Sequence, residues 1–225
     1  MVHRFRLENG IRVVLCVDPA APFLAFKLSF DATYLDEPEG RAGIRMLALT
    51  ATALADASCR ERIERAGGWW DPINLFPAVT AVDFTLHADE SDLGVDCVGR
   101  MLEAPGATQF EGIDAFLKEY RPQALEWAKP EPVIDPFAPF FPQKEAARSQ
   151  TAVKSKLEGV SAQEFSAYWK SRFAPDRATV TVVGDFVPVQ MARALSARIG
   201  KIPASNHSAP PVRIASVRAG GRLRV

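Results

Sequence analysis

The chain has 225 residues, 48% of them hydrophobic and 24% charged, so it is long enough to bury a sizeable core in one large domain or two small ones. Its 27 Lys and Arg balance its 27 Asp and Glu. That zero net charge gives no reason to expect a nucleic acid or an anionic membrane as partner, and no window approaches the run of ~20 apolar residues that a membrane span needs.

In chain order, residues 3–8 and 11–17 read as strands around Asn9-Gly10, a hairpin pair whose residues both tolerate positive φ. Phe23 to Phe30 is a third strand, followed by a turn-rich loop at Asp36 to Gly40. Arg41 to about Asp56 is rich in Ala, Leu and Met and predicts a helix. A short helix from Ser58 to Ala66 stops at Gly67-Gly68. Val79 to Leu86 reads as a strand, and Asp89 to Glu103 as a helix with acidic residues in its first turn. A helix from Phe110 to Trp127 carries a strained Pro122, and the proline-rich stretch from Pro130 to Pro142 reads as extended loop. Ser161-Ala162-Gln163-Glu164 is a capping box that opens a helix to about Phe173. Ala178 to Val183 is a buried-type strand, and Pro188 to Ile199 a last helix. The expected class is α+β, with helices packed on one face of a mainly antiparallel sheet. Residues 1–200 form the domain; 201–225 read as a linker and the start of a possible second domain.

Cys16, Cys59 and Cys97 are odd in number and lie in apolar stretches. They read as buried free thiols in a reducing compartment. With no apolar leader in the opening residues, the expected location is the cytoplasm. His87 is expected at the rim of its strand; His3 and His207 are expected in solvent. The tail's basic residues read as a solvated linker. No serine-nucleophile motif, phosphate loop, dinucleotide glycine pattern or Cys-x-x-Cys is present.

Several short segments, in order, resemble the pitrilysin/insulinase zinc peptidases (the inverzincins), and in particular half-length subunits of the mitochondrial-processing-peptidase type. They are Leu7-Glu8-Asn9-Gly10-Ile11-Arg12-Val13-Val14, Tyr34 to Ile44, Ile63-Glu64-Arg65-Ala66-Gly67-Gly68, Phe173-Ala174-Pro175-Asp176-Arg177-Ala178, and Val182-Val183-Gly184-Asp185-Phe186. Together they span roughly residues 5 to 200. The resemblance implies the inverzincin fold, the metallohydrolase architecture shared with LuxS and the processing peptidases.

In that family the first long helix carries His-x-x-Glu-His. Its two histidines share a helix face and hold Zn²⁺, and its Glu activates the metal-bound water. Here those positions hold Met46, Leu49 and Thr50. No other histidine lies between His3 and His87 to rescue the motif. The family's third ligand and its supporting Glu fall on Glu126 and Glu119, two helical turns apart. They read equally as a vestigial site or as solvated helix glutamates. Trp69, Trp70 and Asn74 fall where the family leads into the edge strand that aligns a peptide, so they are candidate peptide or partner contacts. Two rings that simply cover the sheet are the competing reading.

Zinc is therefore not expected, and neither is catalysis. The resemblance implies a pseudopeptidase that pairs with an active zinc-peptidase subunit, or with itself, and helps to enclose peptide. The alternative is an assembly subunit with a fixed protein partner and no peptide substrate.

Overall fold

The computed structural model describes residues 1–33, 36–38, 40–41, 43–54, 56–76, 79–106, 113–127 and 159–204, without the side chains of residues 57, 72–76, 79, 106 and 123–127. The proline-rich loop, His207, the tail's arginines and the proposed start of a second domain lie outside these residues.

The chain opens with β1 (Val2–Arg6) and β2 (Arg12–Val17), an antiparallel hairpin registered from Val2↔Cys16 to Arg6↔Arg12. Its turn differs from the expected one. Only Gly10 has positive φ, at 90°, so Asn9 is not in the left-handed conformation of a type I′ turn. Asn9 serves another end. Its Nδ2 donates to the carbonyls of Ile199 at 2.7 Å and Ile202 at 2.9 Å, at and just past the end of the last helix.

β3 (Phe23–Phe30) keeps its expected bounds. After it come α1 (Ile44–Ala53), α2 (Ala57–Arg65), β4 (Trp69–Phe76), β5 (Val79–His87), α3 (Ser91–Glu103), α4 (Ile113–Trp127), α5 (Ala162–Arg172), β6 (Ala178–Gly184) and α6 (Pro188–Ile199). α1 is shorter than the composition suggests. Gly43, at φ 92°, holds a left-handed conformation that delays its start. At the other end, Asp56 accepts from Ser58 N and caps α2. α2 closes in a Schellman motif: Gly67 has φ 74°, Gly67 N donates to Glu64 O and Gly68 N to Ile63 O. A Cβ on Gly68 would meet the Thr85 carbonyl at 2.4 Å, so the second glycine lets the chain approach the sheet. α4 continues through Pro122.

The six strands run in the order β1-β2-β6-β3-β5-β4. β6, last in the chain, enters the middle of the sheet, parallel to β2 and antiparallel to β3. Among the described residues this is the one parallel pairing; the others are antiparallel. β4, which contains Pro72, was not among the strands read from the pattern, although the resemblance sets the lead into an edge strand at this segment. The sheet accommodates it at the edge, with a register shift between Asp71 and Asn74, where a missing backbone donor costs least.

Alternate strand residues face the helices. Leu24, Phe26 and Leu28 of β3 are at most 1% exposed, as are Val82, Phe84 and Leu86 of β5 and Val180 and Val182 of β6. The Phe26 and Phe84 rings stack at 5.1 Å, and Gly94 of α3 passes directly over Phe26. Burial of each ring is worth about 1.5–3 kcal/mol.

Two histidine expectations divide. His87 sits exposed at the rim, beside Asp89 at 2.5 Å. His3 is half-buried instead of solvated: its register partner Leu15 points to the core, and so does His3, with Nε2 enclosed and unpartnered. Cys59 and Cys97 are buried free thiols as expected, but Cys16 is only half-buried, because it points to the sheet face away from the helices.

Candidate functional site

The helix that the sequence resemblance sets as the metal helix is α1, which packs against α4, α5, β4 and β5. Its N-terminus has no side-chain cap of its own, since Gly43 occupies that position. Glu37 fills the gap from the preceding loop. Its two carboxylate oxygens accept from Gly43 N at 3.1 Å and Arg45 N at 3.2 Å. Burial pushes the Glu37 carboxyl above the ordinary carboxylate range, while the Arg45 charge and the two backbone donors pull it back.

Around this cap lies a cluster of charge that the sequence did not announce. Arg45 is 6% exposed and donates to Thr80 Oγ1 at 3.0 Å; that hydroxyl donates to Ala32 O at 2.6 Å. Asp36, 8% exposed, accepts from Thr33 N and Thr33 Oγ1 and lies 2.6 Å from the Arg172 guanidinium at the end of α5, an ion pair without hydrogen-bond alignment. Buried Tyr168 lies in the field of these groups. Desolvation first, and the Glu37 charge second, push its phenol well above the ordinary range. The cluster fastens the 31–43 loop, α1, β5 and α5 to one another.

Met46, Leu49 and Thr50 lie on α1 just past this cap. Met46 is half-buried and packs against the core. Leu49 is fully buried and Thr50 is 3% exposed. The Thr50 hydroxyl donates to its own helix, to Met46 O at 2.9 Å. These positions therefore offer a thioether, an alkyl group and a hydroxyl already engaged. Such donors do not fit Zn²⁺, which takes imidazole, thiolate or carboxylate. Among the described residues, no group of three His, Cys, Asp or Glu side chains is arranged to hold a metal ion.

Glu119 and Glu126 both lie on α4, the helix packed beside α1. Glu119 is exposed, and its charge beside Tyr120 adds to burial in raising that phenol above the ordinary range. The Glu126 side chain lies outside the described residues, so the candidate pair is placed on one helix and no further.

The candidate peptide contacts are all on β4, the edge strand, and they split by strand alternation. Trp70 turns inward: it is 8% exposed, stacks on Phe84 at 5.7 Å and leaves Nε1 without a partner. Trp69 turns outward and is 70% exposed. Sheet cover thus describes Trp70, and an available contact describes Trp69. The Asn74 side chain lies outside the described residues; its backbone pairs with Ala81.

No protein-family model matches the sequence, and no curated protein matches it. Solved structures do match the fold. A protease from Helicobacter pylori superposes at TM-score 0.76 with 12% identity, over 96% of this chain and 53% of that one. Pitrilysin superposes at 0.75 with 15% identity, over 96% of this chain and 24% of that one. A chain of complex III2 from Candida albicans, solved with Inz-5 bound, superposes at 0.65 with 18% identity, over 91% of this chain and 48% of that one. The chain spans between a quarter and about half of these structures' length. It has the fold of a pitrilysin-type peptidase domain.

Proposed function

We propose that the chain is a catalytically inactive peptidase-like protein, a non-catalytic subunit or domain that pairs with an active zinc peptidase and helps to enclose its peptide substrate. The observation that carries this reading is α1. It stands in a peptidase-type domain fold, and the sequence resemblance sets Met46, Leu49 and Thr50 at the positions of two imidazoles and a general base. Losing all three together removes metal binding and proton transfer at once. The edge strand β4 supports a remaining role in holding peptide, since an unpaired strand edge accepts an extended segment by backbone hydrogen bonds, with Trp69 beside it. We read the protein as cytoplasmic, on its free thiols.

The match to a complex III2 chain favours a second reading, an assembly subunit with a fixed partner and no peptide. Affinity purification from the native source separates the two. Co-purification of a peptidase with an intact His-x-x-Glu-His supports the first. A stoichiometric partner with no peptidase motif supports the second and overturns the first.

A further inference from the structure

Two of the three cysteines face each other across a helix contact. Cys59 lies on α2 and Cys97 on α3, the helices before and after β4 and β5 in the chain. Two ion pairs set the register between these helices. Asp56, the cap of α2, meets Arg100 of α3 at 2.6 Å, and Arg62 of α2 meets Asp96 of α3 at 2.9 Å. Numbers rise along α2 as they fall along α3, so the helices run in opposite senses across the contact. Cys59 stands midway between Asp56 and Arg62, and Cys97 stands between Asp96 and Arg100. The register therefore brings the two thiols to one level, inside the bracket of ion pairs. They are in hydrogen-bond contact there, with Cys97 donating to Cys59. Both are interior, at 1% and 0% exposure. Cys16 sits on β2 and points to the sheet face away from the helices, so it takes no part in this contact.

The surroundings make the two thiols unequal. The hydrogen bond from Cys97 holds the Cys59 thiol below its ordinary range in spite of burial, and the Arg100 and Arg62 charges act in the same sense. Giving that hydrogen bond, together with burial, pushes the Cys97 thiol up. A cysteine that only fills core space needs neither a facing thiol nor guanidinium groups beside it.

We propose that Cys59 and Cys97 are a redox-active dithiol, an oxidation site at which a hydroperoxide joins α2 to α3 through a reversible disulfide. Cys59 is the attacking sulfur. Its thiolate attacks one oxygen of hydrogen peroxide; the O–O bond breaks, an S–O bond forms, and the departing hydroxide takes up the thiol proton as water. The Cys97 sulfur then attacks the Cys59 sulfur. The S–O bond breaks, the S–S bond forms, and a second water leaves with the Cys97 proton. The two thiols lose two electrons, and the peroxide takes them up. A small dithiol reverses the bond by exchange. The sulfurs must close from hydrogen-bond contact to about 2 Å. The bond would enclose β4 and β5 in one covalent loop, tying the edge strand to the helical layer. The metal positions of α1 play no part in this chemistry.

Thiol titration and peptide mapping of the full chain test it. In a Cys16→Ser background the folded protein is treated with hydrogen peroxide and then with dithiothreitol. Both remaining thiols are expected to be lost to a mapped Cys59–Cys97 bond and both to return on reduction. With Cys97→Ser added, a sulfenic acid is expected to stay on Cys59, where dimedone captures it. With Cys59→Ser added instead, Cys97 is expected to resist peroxide. Unchanged circular dichroism verifies folding of each variant. Thiols that still titrate after peroxide overturn the proposal, as does a bond that forms only after denaturation. Thiols lost to sulfinic acid with no bond overturn it as well, and equal dimedone capture in the two single-thiol variants overturns the role given to Cys59.

Discussion

The indole Nε1 of Trp169 donates to Thr52 Oγ1 at 2.8 Å, and the same hydroxyl donates to Ala48 O at 2.9 Å. This buried relay ties α5 to α1, the helix on which the functional question turns. Thr52 and Trp169 are 0% and 1% exposed, so neither group has water as a fallback. Thr52→Val keeps the shape and strands the indole N–H. The expected cost is about 1–3 kcal/mol in urea unfolding. Adding Trp169→Phe removes the stranded donor, so the double variant is expected to lose less than the two single losses combined. Strict additivity contradicts the relay.

Two glycines of α3 predict opposite outcomes. A Cβ on Gly94 would lie 2.4 Å from Phe26 Cε2, inside the aromatic core. Gly94→Ala is expected to cost about 1–3 kcal/mol through overpacking. A Cβ on Gly99 would lie 2.4 Å from Arg198 Cζ, the flexible end of a side chain that reaches Glu103 and Asp96 near the surface. Moving it weakens ion pairs worth up to about 1 kcal/mol, while alanine gains a similar amount of helix propensity over glycine. Gly99→Ala is therefore expected to be near neutral. Thermal denaturation of both variants compares them directly.

The pH dependence of the α5 cap follows from Glu164. Its carboxylate accepts from Ser161 N and Ser161 Oγ, and Arg41 Nε and Nη2 also donate to it. These contacts, the backbone one first, lower its pKa from 4.5 to about 2. A lowered carboxyl pKa means that its stabilisation is fully present above pH 4.5 and is lost as pH falls from there toward about 2. Carboxyl titration by NMR is expected to place Glu164 below the other exposed glutamates, and Arg41→Met to move it back up. A Glu164 midpoint that ignores Arg41→Met contradicts the assignment.

Placing a glutamate at position 49, where the resemblance sets the general base, has a cost. Leu49 is fully buried, so Leu49→Glu without metal sets an unpaired carboxylate in the core. The expected loss is about 3–5 kcal/mol, read by denaturant unfolding at neutral pH and partly recovered at acid pH as the carboxyl protonates. A loss under about 1 kcal/mol would show that this position opens to solvent and contradict its place in the core.

What was legible in the sequence was what local chemistry controls. The bounds of β3 and α6, the Ser161 capping box and the double glycine after α2 all rest on side chains acting within a few residues, and the structure has them as read. What escaped depends on partners far along the chain. β4 was missing from the pattern, and the edge position that lets it hold Pro72 is defined only by the assembled sheet. Asn9 read as a turn residue, and its contact with Ile199 lies 190 residues away. Asp36, Glu37, Arg45 and Arg172 read as ordinary surface charge, since nothing local announces that a loop, two helices and a strand enclose them. The candidate site divides in the same way. The identities of Met46, Leu49 and Thr50 stood in the sequence, and their burial on α1 did not; the split between an inward Trp70 and an outward Trp69 needed the strand.

The central claim is that α1 carries no zinc chemistry. The most direct measurement incubates purified protein with one equivalent of Zn²⁺, removes free metal, and then measures bound zinc and cleavage of a quenched fluorescent peptide library on the same sample. The account predicts substoichiometric zinc and no zinc-dependent cleavage. One zinc per chain with peptide hydrolysis, both abolished by Glu126→Ala, would contradict it.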